Sequence, residues 1–218
     1  YVVGDIDVEE MTEKLRQVLA FGDRELHEKQ LKTEIDTKPE EYTKEQQEMK
    51  QGKLHIGFST PVYFGDPDFP KMQIFNGIFG GYAHSKLFMN VRERESLAYY
   101  ASSSYSSQYG LVFVTSGIEP SNEKKAIDVI NEQLKVMQNG EISDLELTQT
   151  KAMLTNQLKE ALDSARGQIE IYDQYKDLNE AFTIDTWASR WQQVTKEDVE
   201  QMAKQVKREA IYFLCGKE

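Results

Sequence analysis

Arg92 and Tyr99 stand seven residues apart in the run Asn-Val-Arg-Glu-Arg-Glu-Ser-Leu-Ala-Tyr-Tyr, across a change from helical to alternating periodicity. A helix face alone does not need that spacing. Two donors at the joint of a helix and a strand suit a site that grips something between the two elements. The plainer reading is an arginine in a surface ion pair with Glu93 or Glu95 and a tyrosine packed on a sheet, and composition alone favours it. Other chemistry has weaker support. The three histidines, His27, His55 and His84, have no other His, Cys or paired carboxylate at helical spacing, and neither His-Glu-x-x-His nor His-x-x-Glu-His occurs. The serines from Ser102 to Ser107 lack a Gly-x-Ser-x-Gly elbow. Cys215 sits in an apolar run as a small hydrophobe. Gly80-Gly81 lacks the lysine of a phosphate loop, and Tyr105 and Tyr109 read as sheet-face aromatics.

The elements that must carry Arg92 and Tyr99 are legible in the periodicity. Leu54, Ile56 and Phe58 alternate with Lys53, His55 and Ser59, which predicts a half-buried strand over 53–61. An apolar helix follows over 66–79, with Gly80-Gly81 as a left-handed cap, then a second helix over 85–93. Strands over 98–106 and 111–118 form an antiparallel hairpin through Gln108-Tyr109-Gly110. Ile127, Ile130, Leu134 and Met137 mark a helix stopped by Gly140. Ser143 and Glu146 form a capping box for a long helix that Gly167 can break. Asp185 and Thr195 read as further caps, and Ile211–Gly216 as a closing strand. Upstream, Tyr1–Gly4 reads as the end of a strand, 5–19 as a helix, and the charged stretch 23–52, interrupted by Pro39, as a linker. Helices cluster instead of alternating singly with strands, so the fold class is α+β: an antiparallel or mixed sheet with helices on one face.

The 218 residues carry a formal charge of −11, which makes nucleic acid and anionic membrane poor partners. One cysteine allows no internal disulfide and no cysteine-built zinc site. No apolar run approaches the ~20 residues of a membrane span. The opening at Tyr1, without a basic-then-apolar leader, reads as a piece of a longer cytoplasmic protein.

The run from Ile74 to Pro120, with Gly80-Gly81, Ser85-Lys86-Leu87-Phe88, Val91-Arg92-Glu93 and Leu97-Ala98-Tyr99, resembles the C-terminal half of the insulinase, or pitrilysin, family of zinc metallopeptidases. It is most similar to the bacterial branch whose members often lack the zinc motif and are found beside a zinc-bearing relative. The resemblance covers about 53–216. It implies three parts: the end of a preceding homologous domain (1–22), a charged linker (23–52) and an insulinase-family α+β domain (53–218). In that family two homologous domains face each other across a chamber. One carries zinc, and the other supplies an Arg and a Tyr to the substrate backbone. The matching positions are Arg92 and Tyr99, with Tyr100 expected on the opposite sheet face. Arginine is a rigid multi-donor group, and a phenol can donate to a carbonyl oxygen that gains negative charge. Gly80, Gly81 and His84 fall where some processing-peptidase subunits carry a glycine-rich substrate loop, so they join the candidate substrate-binding residues. Two adjacent glycines fit a plain helix–helix turn better.

The resemblance implies no cofactor in this segment and zinc in a homologous partner domain or subunit. It also implies a peptide substrate and a homo- or heterodimer. The alternatives are a catalytically silent scaffold subunit of the same family and an unrelated module that binds peptide at a sheet edge.

Overall fold

A computed structural model describes residues 1–19, 21, 22, 25, 32–35, 41–176, 178 and 183–217; His27 and Pro39 lie outside the described residues. Strands β1 (Glu41–Gln47), β2 (Gly52–Ser59), β3 (Ala98–Ser106), β4 (Leu111–Ile118) and β5 (Lys207–Gly216) form one sheet in the order β1-β5-β2-β4-β3. β1 runs parallel to β5, and every other pairing is antiparallel. The alternation in β2 works as its residues require. Leu54, Ile56 and Phe58 are fully buried, while Lys53 and His55 face out. Val112 and Val114 of β4 bury on the same layer, and Phe113 between them is 40% exposed.

The helices cover that buried face, as the α+β reading expects. They are α2 (Phe69–Asn76), α3 (Glu123–Gln138), α4 (Asp144–Leu162), α5 (Ala165–Tyr175), α6 (Ile184–Gln193) and α7 (Lys196–Gln205); α1 (Val8–Val18) buries no residue and is not part of this cover. Phe58, Phe75 and Phe79 meet in the core, Phe79 edge-on to Phe58 and stacked on Phe75. Gly140 adopts φ +77° after α3, the left-handed stop its type allows. Ser143 and Thr195 build capping boxes with Glu146 and Asp198. No helix among the described residues is long and apolar enough to cross a membrane.

Several expectations need correction. The stretch read as linker contains β1, a polar edge strand with Tyr42 and Lys44 bonded to Glu123 of α3. Its lack of buried residues hid it, because an edge strand gains its ladder from β5 and needs no apolar face. Tyr1–Gly4 is not a strand, since no strand among the described residues pairs with it. α1 forms as expected, with Asp7 as its cap, but buries none of its residues. α2 starts at Phe69, not Asp66, because Asp66 is spent on a turn in which its carboxylate accepts from Tyr63 N–H at 2.7 Å. The long helix breaks at Asp163–Ser164, where Ser164 caps α5 by accepting from Gly167 N–H. Thr183, not Asp185, caps α6.

Gly80 and Gly81 are not a left-handed cap. They end a π-helical turn, Gly77–Gly81, that continues α2. A Cβ on Gly80 would lie 2.5 Å from the Ser103 backbone nitrogen, so glycine is what lets this turn sit directly under β3. Gly80→Ala is therefore expected to cost about 2 kcal/mol in urea unfolding. Gly57→Ala in β2, where a Cβ meets nothing within 4 Å, should leave stability unchanged or slightly raised. Equal midpoints for the two variants would contradict this account of Gly80.

Candidate functional site

The segment that carries Arg92 is a π-helical run, Phe88–Arg94. Its wide winding shows in the bond from Glu95 N–H to Asn90 O at 3.1 Å. Leu87, Val91 and Leu97 are its buried pins, and Asn90 ties it to α3 through Gln133 Oε1 at 2.9 Å. The run is anchored at its start by Lys86, whose ammonium lies 2.8 Å from Glu146 on α4 with a side chain only 9% exposed. Burial pushes the Glu146 carboxyl up, but the bonds from Lys86 and Ser143 outweigh it and hold the group below the ordinary glutamate range.

Between the run and β3, Ser96 takes φ +51°, the one non-glycine residue in the left-handed region among those described. β3 then opens on a bulge. Ala98 pairs with Ile118 and Tyr100 with Gly117, which leaves Tyr99 as the extra residue. Strict alternation would have sent Tyr99 and Tyr100 to opposite faces with one of them buried. The bulge leaves Tyr99 60% and Tyr100 41% exposed. The Tyr100 ring lies over Gly117, where a Cβ would come within 2.5 Å of it.

Arg92, Ser96 and Tyr99 therefore line one open cleft of about 450 Å³, together with Glu93 and Glu119. The Arg92 guanidinium rests on the Phe88 ring at 4.6 Å and keeps only a loose 3.6 Å contact with Glu93; Glu95 pairs with Lys125 instead. The Tyr99 hydroxyl donates to Glu119 Oε1 at 2.5 Å. That bond, and then the charge of Glu119, hold the phenol above the ordinary tyrosine range, so it is a proton donor throughout neutral pH.

The other candidates lie elsewhere. Gly80 is buried under β3, where packing and not ligand contact explains it. Gly81 lines a separate cavity of about 360 Å³ with Asn76, Tyr82 and Ser103. His84 stacks on Tyr82 and meets Thr150 Oγ1 at 2.9 Å, half-buried against α4. Burial depresses its pKa, against the charge of Glu146. His55 lies on the open sheet face beside Tyr212. Among the described residues no group of three or more His, Cys, Asp or Glu could hold a metal ion.

Sequence reasoning passed over Glu119 and Ser96. The Glu119-Pro120 pair at the end of β4 was the available signal for the first, because a residue before proline is fixed in extended backbone. Nothing in the residue type announced Ser96.

Residues 1–154 match the family described as the peptidase M16 inactive domain. The probable inactive metalloprotease YmfF of Bacillus subtilis is 39% identical over the whole chain, which covers 51% of that protein. The crystal structure of a conserved protein from Enterococcus faecalis V583 superposes with TM-score 0.89 at 37% identity, covering 98% of this chain and 51% of the other. A peptidase M16 inactive domain from Pseudomonas fluorescens shares the fold at TM-score 0.79 and 18% identity, covering 99% of this chain and 53% of that one. The chain thus spans about half the length of the first of these relatives.

The Lys86–Glu146 pair generates a test. Lys86→Met strands a half-buried carboxylate and should cost about 3 kcal/mol in urea unfolding at pH 7. The wild-type Glu146 contributes stability above its unfolded pKa and loses it as pH falls through the lower folded value. In the variant, protonation removes the stranded charge, so the gap between the two proteins should narrow toward pH 4. A gap of constant size would show that the lysine acts through packing alone.

Proposed function

The chain belongs to the peptidase M16 family, as its inactive-type domain, and on that premise we propose that it is the substrate-facing, non-zinc half of an insulinase-like peptidase. In this reading a homologous zinc-bearing domain or subunit stands opposite and a peptide passes between the two. In this reading the chain's own part is to bind and orient the peptide backbone. Arg92 offers guanidinium donors to a carbonyl or carboxylate oxygen. Tyr99 offers a phenol proton to the carbonyl oxygen that gains negative charge as the peptide bond is attacked.

The single observation that carries the reading is that Arg92 and Tyr99, separated by a helix end, a left-handed residue and a bulge, line the same cleft with exposed heads. A structural role alone gives no reason to hold both in that arrangement, since neither contributes to the buried core.

A second reading, a silent scaffold subunit, is favoured by the word inactive in the name of the Bacillus subtilis relative and by the engagement of the phenol with Glu119.

The test is peptide cleavage by the full-length protein, alone and mixed with a zinc-bearing homologue. Tyr99→Phe should lower kcat on the order of 10²-fold, the size of effect seen when one oxyanion donor is removed. Arg92→Ala should chiefly raise KM, and thermal midpoints should stay unchanged because both side chains are exposed. Full turnover in both variants, with a rate that does not depend on this chain, would establish the scaffold reading.

A further inference from the structure

The Tyr99–Glu119 bond raises a chemical problem for the site. A phenol has one proton to donate, and in this structure Tyr99 donates it to Glu119 Oε1. When the phenol turns to a substrate, Glu119 loses its donor, and a ligand that replaces that donor serves both groups at once.

A residue of an extended peptide does this, because its own N–H and C=O point to the same side of the strand. It brings a carbonyl that can take the phenol proton and an N–H that can take its place on the carboxylate. The geometry around Glu119 suits such an exchange. Pro120 fixes its backbone at φ −67°, ψ 137°, and Asn122 N–H bonds back to its carbonyl at 2.9 Å, so the residue is held at the rim of the cleft and not on a loose loop. One carboxylate oxygen receives the phenol, and the other meets no donor among the described residues. Both partners are exposed, so neither must cross a buried, unpaired state to let go.

We infer that Glu119 is a substrate-binding residue: it accepts a main-chain N–H of an extended peptide while Tyr99 donates to a carbonyl, and the two residues satisfy each other when the cleft is empty. This rests on the Arg92/Tyr99 reading and adds an acceptor to a site so far made only of donors. It also commits the cleft to a ligand with both a donor and an acceptor. A free carboxylate or phosphate would repel Glu119 and leave it unsatisfied.

The test uses the full-length protein with a zinc-bearing homologue and casein as the probe substrate, with a separate readout that needs no activity. Tyrosine ζ-carbon resonances followed against pH report the pair directly. Arg92 and Glu93 also line the cleft and remain in place, so a change on Glu119→Gln is assigned to Glu119. The Tyr99 midpoint should fall in Glu119→Gln toward the ordinary value of about 10. Cleavage should lose on the order of tenfold in kcat/KM in Glu119→Ala, and Glu119→Gln, whose amide oxygen still accepts an N–H, should recover most of it. A Tyr99 midpoint unmoved by Glu119→Gln would overturn the inference whatever the kinetics. A midpoint that moves, with wild-type cleavage by Glu119→Ala and slow cleavage by Tyr99→Phe, would overturn the role of Glu119 and leave the Arg92/Tyr99 reading standing. Absence of cleavage in every combination would overturn both.

Discussion

The ion pair between Lys86 and Glu146 fixes the part of the fold on which the site depends. Glu146 serves two elements at once. It closes the capping box that starts α4, accepting from Ser143 N–H at 2.8 Å, and it receives the nearly buried ammonium that starts the Arg92-bearing run. A carboxylate near a helix N-terminus is also favoured by the helix dipole. Losing either partner would leave the other desolvated and uncompensated, which makes the pair costly to break even where it contributes little net stability. The same junction is closed from the far side by glycine. A Cβ on Gly77 would press within 2.4 Å of the buried Thr150 methyl, so the helix after α2 can approach α4 only because that side chain is missing.

Most of the regular elements were legible because each has its own period and stop. The strands over 98–106 and 111–118 fall where alternation placed them, and Gly140 and the Ser143 box act as read. The failures share a cause: they depend on partners that a local window does not contain. β1 is polar throughout and exists because β5 offers a parallel edge. Gly80-Gly81 looked like a cap, the ordinary local use of glycine, but Gly80 serves a contact with Ser103 more than twenty residues on. Ser164 outranked Gly167 as the break because a hydroxyl that accepts a backbone N–H starts a helix more positively than glycine weakens one.

The candidate site was half legible. Arg92 and Tyr99 emerged from spacing and resemblance as donors, and the structure brings them to one cleft. Glu119 did not emerge, although it is the residue in contact with the phenol. Sequence reading found groups that give hydrogen bonds and had no reason to seek one that receives them, in a chain where carboxylates are plentiful. Position distinguishes Glu119 from the others: it directly follows β4, is followed by proline, and lies next to the bulge that turns Tyr99 outward.

Regular structure could not have made this cleft. On a continuous α-helix a residue and its seventh neighbour share a face but stand about 10 Å apart. On a continuous strand they lie about 23 Å apart on opposite faces. The chain between Arg92 and Tyr99 avoids both outcomes by leaving regular geometry three times, in a π-helical run, a left-handed serine and a bulge. Each departure forfeits a well-formed backbone bond or adopts a sparsely populated conformation, at a cost of order 1–3 kcal/mol for the last kind. Such costs persist only where surrounding structure imposes them. Here Leu87, Val91 and Leu97 are buried on one side, and the β3–β4 ladder holds the other. Held between those buried side chains and that ladder, three departures in so short a stretch bring two exposed side chains to one cleft.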